Sequence, residues 1–156
     1  MEQKTFIQAE DGQQQITITR NFDLPLELTF KAFTEPEFVE EWMGTKVLSM
    51  DNKKLGSYQF GTTDPKGNKH RFSGTIHEFE PNKRITRTFE MVNTPFPVQL
   101  EFLVFEKLSD ETSKLTMQVI YKSVEDRDNM LRLPFSQGIN MAHSRLQSIM
   151  KKQLQN

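Results

Sequence analysis

Cysteine is absent from this sequence, so disulfide scaffolds, thiolate nucleophiles and cysteine-type zinc sites are excluded. The chain also lacks an excess of either charge, because 20 Lys and Arg residues stand against 21 Asp and Glu residues. A net charge of −1 creates no overall field that would attract nucleic acid or an anionic membrane. Long apolar runs and a signal-peptide core are missing too. We therefore expect a cytoplasmic protein with no nucleic-acid partner and no membrane span.

Phenylalanine is abundant where tyrosine is scarce, with 13 residues against 2. Phe carries apolar area without a polar group, so this composition predicts a large apolar interior. A length of 156 residues is typical of one domain that buries its core without disulfides or metals. We expect a loose polar segment over residues 1–12 and a single domain over residues 13–156.

The segment FTEPEFVEEWMG, residues 33–44, gathers four glutamates around the only tryptophan, Trp42. Thr34 and Glu37 have the spacing of a capping box, and Gly44 follows the last apolar residue, so the segment predicts a short helix. One side of that helix carries the apolar residues Phe38, Val39, Trp42 and Met43. Glu37, Glu40 and Glu41 fall on the other side, which indicates a solvated helix face rather than a catalytic acidic cluster.

The remaining pattern predicts an α+β fold. Alternating β-branched and aromatic residues indicate about seven strands, at 16–22, 46–50, 55–63, 69–80, 83–92, 98–108 and 114–122. Their short connections favour a largely antiparallel sheet. A short helix is predicted over residues 25–33, and an apolar stripe predicts a long C-terminal helix after Pro134. The stripe consists of Phe135, Ile139, Ala142, Leu146 and Ile149.

One helix about 10 Å wide cannot fill the concave face of a wide sheet, so side chains or a cavity must take the remaining space. Strand alternation predicts which residues line it. These are Trp42, Tyr58, Phe60, Phe72, Ile76, Arg87, Phe89, Met91, Leu100, Phe102, Met117, Val119, Tyr121, Phe135, Ile139 and Ala142. On β-strand 98–108 the same alternation points Val104 inwards as well. The sequence does not decide between a packed core and an open cavity. An open cavity would by default bind a small molecule.

Arg87 is the one charged residue on this otherwise apolar face. A buried guanidinium needs a partner, because an isolated buried charge is costly. One interpretation is an error in strand register, or an arginine that extends to the rim. The other is an anchor for a ligand carboxylate or phenolate, with Tyr58 and Tyr121 as further polar groups.

The three histidines, His70, His77 and His143, do not have a metal-ligand spacing. In one regular strand His70 and His77 would face opposite sides, because they are seven residues apart. HExxH, Gly-x-Ser-x-Gly and phosphate-binding glycine loops are all missing. We expect no metal, no cofactor and no catalytic residue.

Several strings resemble one protein family. FTEPEFVEEWMG is similar to its tryptophan-containing helix, LGSYQF to its glycine–aromatic strand, and FSGTIHEFEPNKRITRTFE to its strand pair around Gly74, Pro81 and Arg84. The family comprises homologues of the C-terminal domain of the activator of heat-shock protein 90 ATPase. It belongs to the START-like (SRPBCC) superfamily, which has the birch-pollen-allergen or helix-grip fold. The resemblance spans residues 14–152, and Ile139 follows Gly138 where members often carry tryptophan.

The resemblance implies a curved sheet around the last helix, with a hydrophobic cavity between them. The first functional hypothesis is a non-enzymatic binding protein for a lipid, sterol or polyketide-like molecule. The second is a chaperone-associated interaction module linked to the stress response. The third is a cyclase- or hydrolase-like enzyme that uses Arg87, Tyr58 or His143. Because fold alone does not determine function, these hypotheses have to be separated by the site itself.

Overall fold

The computed structural model describes residues 4–155, and in this part of the chain eight strands form one antiparallel sheet. The strands are β1 (Thr5–Gln8), β2 (Gln15–Phe22), β3 (Lys46–Met50), β4 (Ser57–Thr63), β5 (Lys69–Glu80), β6 (Arg84–Met91), β7 (Gln99–Lys107) and β8 (Ser113–Ile120). Their order across the sheet is β1-β2-β8-β7-β6-β5-β4-β3. Six of the seven neighbouring pairs are consecutive in the chain, as expected for a meander with short connections.

Four α-helices accompany the sheet between residues 4 and 155. They are α1 (Leu26–Thr34), α2 (Pro36–Met43), α3 (Val124–Leu131) and α4 (Phe135–Lys151), and a 3-10 turn follows over Lys152–Gln155. The predicted α+β helix-grip architecture is confirmed, with eight strands instead of about seven. None of the described helices combines the length and apolar character needed to cross a membrane.

Two elements were not predicted. β1 lies within the segment that we expected to be loose, and it pairs with β2 from Thr5↔Arg20 to Gln8↔Thr17, while residues 1–3 lie outside the described part. The backbone N–H of Thr5 also donates to Asn140 Oδ1 on α4 at 2.9 Å. The second element is α3, whose N-cap Ser123 accepts a hydrogen bond from the backbone N–H of Asp126.

α2 has the predicted amphipathic character. Val39 and Trp42 are buried, Glu37 and Glu41 are exposed, and Trp42 Nε1 donates to the carbonyl of Ala32 at 2.7 Å. The acidic side of the helix is therefore a solvated face. The predicted capping box does not form: Glu35 occupies the N-cap position without a side-chain cap, and the Thr34 hydroxyl donates to the Phe30 carbonyl instead.

The apolar interior divides into two clusters. The main cluster lies under α1 and α4, and it contains Ile16, Ile18, Phe22, Phe30, Phe33, Trp42, Ile85, Leu103, Phe105, Leu115, Met117, Val119, Tyr121, Leu146 and Met150 among others. The small cluster consists of Val39, Tyr58, Phe60 and Ile76, at the β4–β5 side of the sheet beside α2. The small cluster adjoins open space, and the candidate site lies beside it.

Candidate functional site

The inward face of β7 differs from the prediction. Glu101, Leu103 and Phe105 are buried, and Val104 on the other face is 41% exposed. Leu100 and Phe102, together with Val104, therefore lie on the outer face of the sheet, and their predicted place in the cavity lining is corrected. Apolar residues occupy both faces of β7. Glu101, a residue type that normally faces solvent in a strand, is buried instead.

Arg87 explains why a glutamate lies inside. It is directly opposite Glu101 in the β6–β7 register, and its Nε donates to Glu101 Oε1 at 3.0 Å. Gln99 Nε2 donates to the second carboxylate oxygen at 2.8 Å. The guanidinium carbon also lies 5.1 Å from the ring centroid of Tyr58, a cation–π distance. Arg87 is only 9% exposed, so its predicted inward orientation holds and its partner is Glu101.

Burial and charge set the protonation of this polar cluster, which consists of Arg87, Glu101, Gln99 and Tyr58. Desolvation raises the pKa of Tyr58 far above its ordinary value, against the opposing effect of Arg87. Desolvation alone would lower the pKa of Arg87, but Tyr58 and Glu101 raise it. Tyr121 also has a raised pKa, from desolvation and then from Glu101. Both tyrosines therefore stay protonated at neutral pH, so the Tyr58 hydroxyl is available as a hydrogen-bond donor.

Gly74 makes room for Tyr58 within the sheet. The two residues are cross-strand partners on β5 and β4, and Tyr58 Oη donates to the Thr88 carbonyl at 2.5 Å. A Cβ atom on Gly74 would lie 2.0 Å from that carbonyl oxygen and 2.5 Å from Tyr58 Oη. Only glycine allows the tyrosine ring to cross the strand here. The glycine that carries the sequence resemblance is thus a steric requirement of the site.

An apolar pocket of about 280 Å³ opens beside the small cluster. Its lining residues are Met43, Gly44, Thr45, Phe60, Thr62, His70, Phe72 and Phe89. The rings of Phe72 and Phe89 stack with centroids 5.7 Å apart. The pocket therefore lies between β4–β6 and the end of α2. Three residues of the predicted lining, Phe60, Phe72 and Phe89, contribute to it.

A larger groove adjoins this pocket and shares four residues with it: Gly44, Thr45, Thr62 and His70. Its volume is about 530 Å³, and its remaining lining residues are Glu40, Lys46, Leu48, Gly61, Thr63, Lys69 and Arg71. We call it the basic groove, because Lys46, Lys69 and Arg71 line it against one carboxylate. That carboxylate, Glu40, already accepts a hydrogen bond from the backbone N–H of Val47 at 2.8 Å.

The other predicted lining residues lie deeper. Trp42, Met117, Val119 and Tyr121 are buried in the main cluster, and Ile76 is buried in the small one. Four more are partly buried against the main cluster, namely Met91, Phe135, Ile139 and Ala142. Apart from Leu100 and Phe102 on the outer face and Tyr58 and Arg87 in the polar cluster, the predicted set is thus distributed between the two apolar clusters and the apolar pocket near α2.

The histidines have three different environments. His143 is buried, and its Nδ1 lies 2.8 Å from the Thr5 hydroxyl. Desolvation, followed by the charge of Arg20, lowers the pKa of His143 to about 3. His70 Nε2 lies 3.1 Å from Asp64 Oδ2, while His77 is exposed. Among residues 4–155, no group of three or more His, Asp or Glu side chains has a metal-binding arrangement.

Sequence reasoning missed two kinds of site residue. Glu101 and Gln99 could have been found from Arg87, because a buried arginine requires an acidic partner on a neighbouring strand. The cations of the basic groove could have been found from the Lys69-His70-Arg71 string at the start of β5. Charged residues at strand ends are common, however, and only the sheet register aligns Lys46, Gly61 and Arg71 in one row.

Comparison with known proteins agrees with this architecture. No curated protein matches the chain. A solved structure from Rhodobacter sphaeroides has a TM-score of 0.85 and 19% identity, over 96% of this chain and 99% of that chain. A protein from Nitrosomonas europaea has a TM-score of 0.80 and 20% identity, over 94% of this chain and 100% of that chain. At such identities these structures show that the fold is shared.

The family itself is identified from the sequence. The family model described as activator of Hsp90 ATPase homolog 1-like protein matches residues 23–151, which include α1, α2, the polar cluster, the apolar pocket and α4. The chain therefore belongs to the activator of Hsp90 ATPase homolog 1-like family, in the START-like (SRPBCC) superfamily.

Proposed function

We propose that this protein is a non-enzymatic binding protein for a small hydrophobic or amphipathic molecule. The observation that carries the proposal is the apolar pocket of Phe60, Phe72 and Phe89, which adjoins the basic groove. Its volume of about 280 Å³ is near the lower end of ligand pockets, which usually measure about 300–1,000 Å³. The stacked rings of Phe72 and Phe89 give flat apolar walls, and burying a ligand against them would supply the binding free energy.

The polar cluster supports binding rather than acid–base catalysis. Both oxygens of Glu101 accept hydrogen bonds, from Arg87 and from Gln99. The Tyr58 hydroxyl donates to Thr88, and its raised pKa keeps it protonated. A general base needs a free lone pair and a pKa close to the working pH. The engaged groups of this cluster instead favour a structural role next to the pocket.

The proposal is tested by an NMR titration of the isotope-labelled protein with 1-octanol and with a flavonoid-like phenol. Binding in the pocket shifts the backbone amides of Phe60, Phe72 and Phe89. Phe89→Ala weakens that binding roughly tenfold, which corresponds to about 1.4 kcal/mol. Phe102→Ala is the matched control, since Phe102 is on the outer face, and it leaves the affinity unchanged. Absence of shifts at the three pocket residues with every small molecule would refute the proposal.

A chaperone-associated role is the second candidate. The family description names an Hsp90 ATPase activator, and the outer face of the sheet presents apolar side chains at Leu100, Phe102 and Val104. Val104 is exposed while Leu100 and Phe102 are partly buried, and apolar surface of this kind can mark a protein-binding surface. Titration with the middle domain of Hsp90 tests the idea. Amide shifts on β7 that disappear with Val104→Lys would support it, and an unchanged spectrum would exclude it.

A further inference from the structure

Three side chains in the lining of the apolar pocket can form hydrogen bonds: Thr45, Thr62 and His70. Thr62 and His70 are cross-strand partners on β4 and β5, and two residues further along the same strands Phe60 pairs with Phe72. Because side chains two residues apart in a strand share a face, all four lie on the same side of the sheet. The polar groups and the apolar walls of the pocket therefore face one space.

The Asp64 carboxylate fixes the tautomer of His70. His70 Nε2 lies 3.1 Å from Asp64 Oδ2, while Asp64 Oδ1 accepts from the backbone N–H groups of Lys66 and Asn68. These hydrogen bonds, that of His70 first, lower the pKa of Asp64, so the carboxylate is ionised and can only accept. The proton of a neutral imidazole is therefore on Nε2, and Nδ1 carries a lone pair. Among residues 4–155, no side chain or backbone group forms a hydrogen bond with this Nδ1.

The two threonine hydroxyls of the pocket are acceptors as well. The Thr45 hydroxyl donates to the Gly61 carbonyl at 3.2 Å. The Thr62 hydroxyl donates to Thr45 Oγ1 at 3.0 Å, so both protons are in use and the oxygens retain lone pairs. At the end of α2, the backbone N–H groups of Gly44 and Thr45 donate to the Glu40 carbonyl. The polar part of the pocket wall therefore offers acceptors and no free side-chain donor.

We propose that the natural ligand is a neutral apolar molecule with a hydroxyl or N–H group, which donates to His70 Nδ1 while the apolar part packs against Phe60, Phe72 and Phe89. This inference rests on the proposed function, and it adds the class of ligand. A donor is favoured because a carbonyl, ether or carboxylate at this wall would meet only lone pairs. At about 30 Å³ for each water-sized group, the pocket of about 280 Å³ has room for roughly nine methylene-sized groups.

Two isomers of one formula, 1-octanol and 1-methoxyheptane, provide the test. They are similar in volume, but only the alcohol has a hydroxyl proton to donate. Titrations are run at pH 8.5, above the ordinary titration range of histidine, and are followed by the amide signals of Phe60, Phe72 and Phe89. We expect 1-octanol to bind about two- to tenfold more tightly than the ether, which is the ratio that one neutral hydrogen bond supplies.

Removal of the imidazole should abolish this preference. His70→Phe keeps an aromatic ring in the lining but has no nitrogen, so the affinity for 1-octanol should fall to that for the ether. The affinity for the ether should change little, because the ether makes no hydrogen bond to His70 Nδ1. His77→Phe is the matched control, since His77 is an exposed histidine of the same strand outside the pocket lining. It leaves both affinities unchanged.

Asp64→Asn tests the tautomer while His70 is still present. The amide oxygen can continue to accept from the backbone N–H groups of Lys66 and Asn68, which turns the amide NH₂ group towards His70 Nε2. The imidazole proton then moves to Nδ1, which becomes a donor. Either compound can accept from it, so 1-octanol should lose its advantage over the ether. A purely structural role of Asp64 would instead weaken the binding of both compounds together.

The outcomes distinguish the two proposals. Equal affinity for 1-octanol and 1-methoxyheptane in the wild type, with shifts at the pocket residues, overturns the donor class and leaves the proposed function standing. A preference for 1-octanol that survives in His70→Phe overturns the assignment of the acceptor to His70. Failure of both compounds to shift the pocket residues overturns this inference, and the proposed function falls with it when the flavonoid-like phenol fails too.

Discussion

Arg87 and Glu101 lie directly opposite each other on β6 and β7, with Nε and Oε1 3.0 Å apart inside the sheet's concave side. Each residue lowers the free-energy cost of burying the other's charge. A buried ion pair contributes little net stability, but removing one partner leaves an uncompensated charge. This pairing is linked to which face of β7 lies inside. Glu101, Leu103 and Phe105 alternate along the strand, so they share one face and are buried together.

Replacing Glu101 with methionine should destabilise the fold by about 3–5 kcal/mol, because Arg87 would remain buried without its carboxylate. The double variant Arg87→Met, Glu101→Met should lose much less, since no charge is then buried. Urea unfolding of the two single variants and the double variant measures the coupling. The exposed pair Arg84–Glu80 provides the control, and Glu80→Gln there should cost less than about 1 kcal/mol. Equal losses at the two sites would contradict this account.

The face of β7 can be tested independently. Leu103 is 0% exposed, so Leu103→Ala should cost about 2–5 kcal/mol. Its neighbour Val104 is on the outer face, and Val104→Thr should change stability by no more than about 0.5 kcal/mol. Thermal or urea unfolding gives both values. The opposite ranking would mean that Leu100, Phe102 and Val104 face the interior after all.

Substitution of alanine for two different glycines should change stability in opposite directions. Gly74→Ala places a Cβ atom 2.0 Å from the Thr88 carbonyl oxygen, so strands β5 and β6 must separate locally and stability falls. Gly138→Ala meets nothing within 4 Å on α4 and should raise stability by about 1 kcal/mol, as glycine is a poor helix former. Differential scanning calorimetry of the two variants is sufficient. A stabilising effect of Gly74→Ala would show that Tyr58 does not cross the strand there.

His143 should make stability depend on pH. The folded protein holds His143 neutral down to about pH 3, while its ordinary pKa of 6.5 applies in the unfolded chain. Between these values the unfolded state binds more protons, so the stabilisation present above pH 6.5 is lost as pH falls towards 3. The slope can reach about 1.4 kcal/mol per pH unit.

Urea unfolding of wild type and His143→Gln between pH 4 and 8 measures this contribution. The variant should flatten the curve below pH 6.5, whereas His77→Gln, at an exposed position, should leave the slope unchanged. A His143→Gln curve parallel to that of wild type would show that the imidazole is accessible to protons in the folded state.

The fold was predictable where apolar periodicity is strong. Most strands and α4 have clear alternation or a clear stripe, and their predicted positions are close to those observed. β1 was not predicted, because its residues, Thr5–Gln8, include only two apolar side chains and it is stabilised by β2 and by Asn140 on α4. α3 has no apolar stripe either. Its one local signal was Ser123 three residues before Asp126, which is a capping pattern.

The site was predictable only in part, since its location depends on register and on how α2 meets the sheet. Phe60, Phe72 and Phe89 were identified from alternation alone. Glu101 was not, because a lone glutamate in a strand normally faces water and only its position opposite Arg87 makes burial possible. The basic groove depends on the pairing of three strands, which a single sequence does not specify.

The separation of the small cluster from the main one has an evolutionary consequence. The pocket walls at Phe72 and Phe89 are attached to the β4–β6 side, whereas Leu103, Leu115 and Leu146 hold the rest of the molecule together. Substitutions in the walls can therefore accumulate without weakening the scaffold. A lineage built on this chain could exchange one ligand for another through a few wall residues, and its members would keep one shape while their chemical preferences diverge.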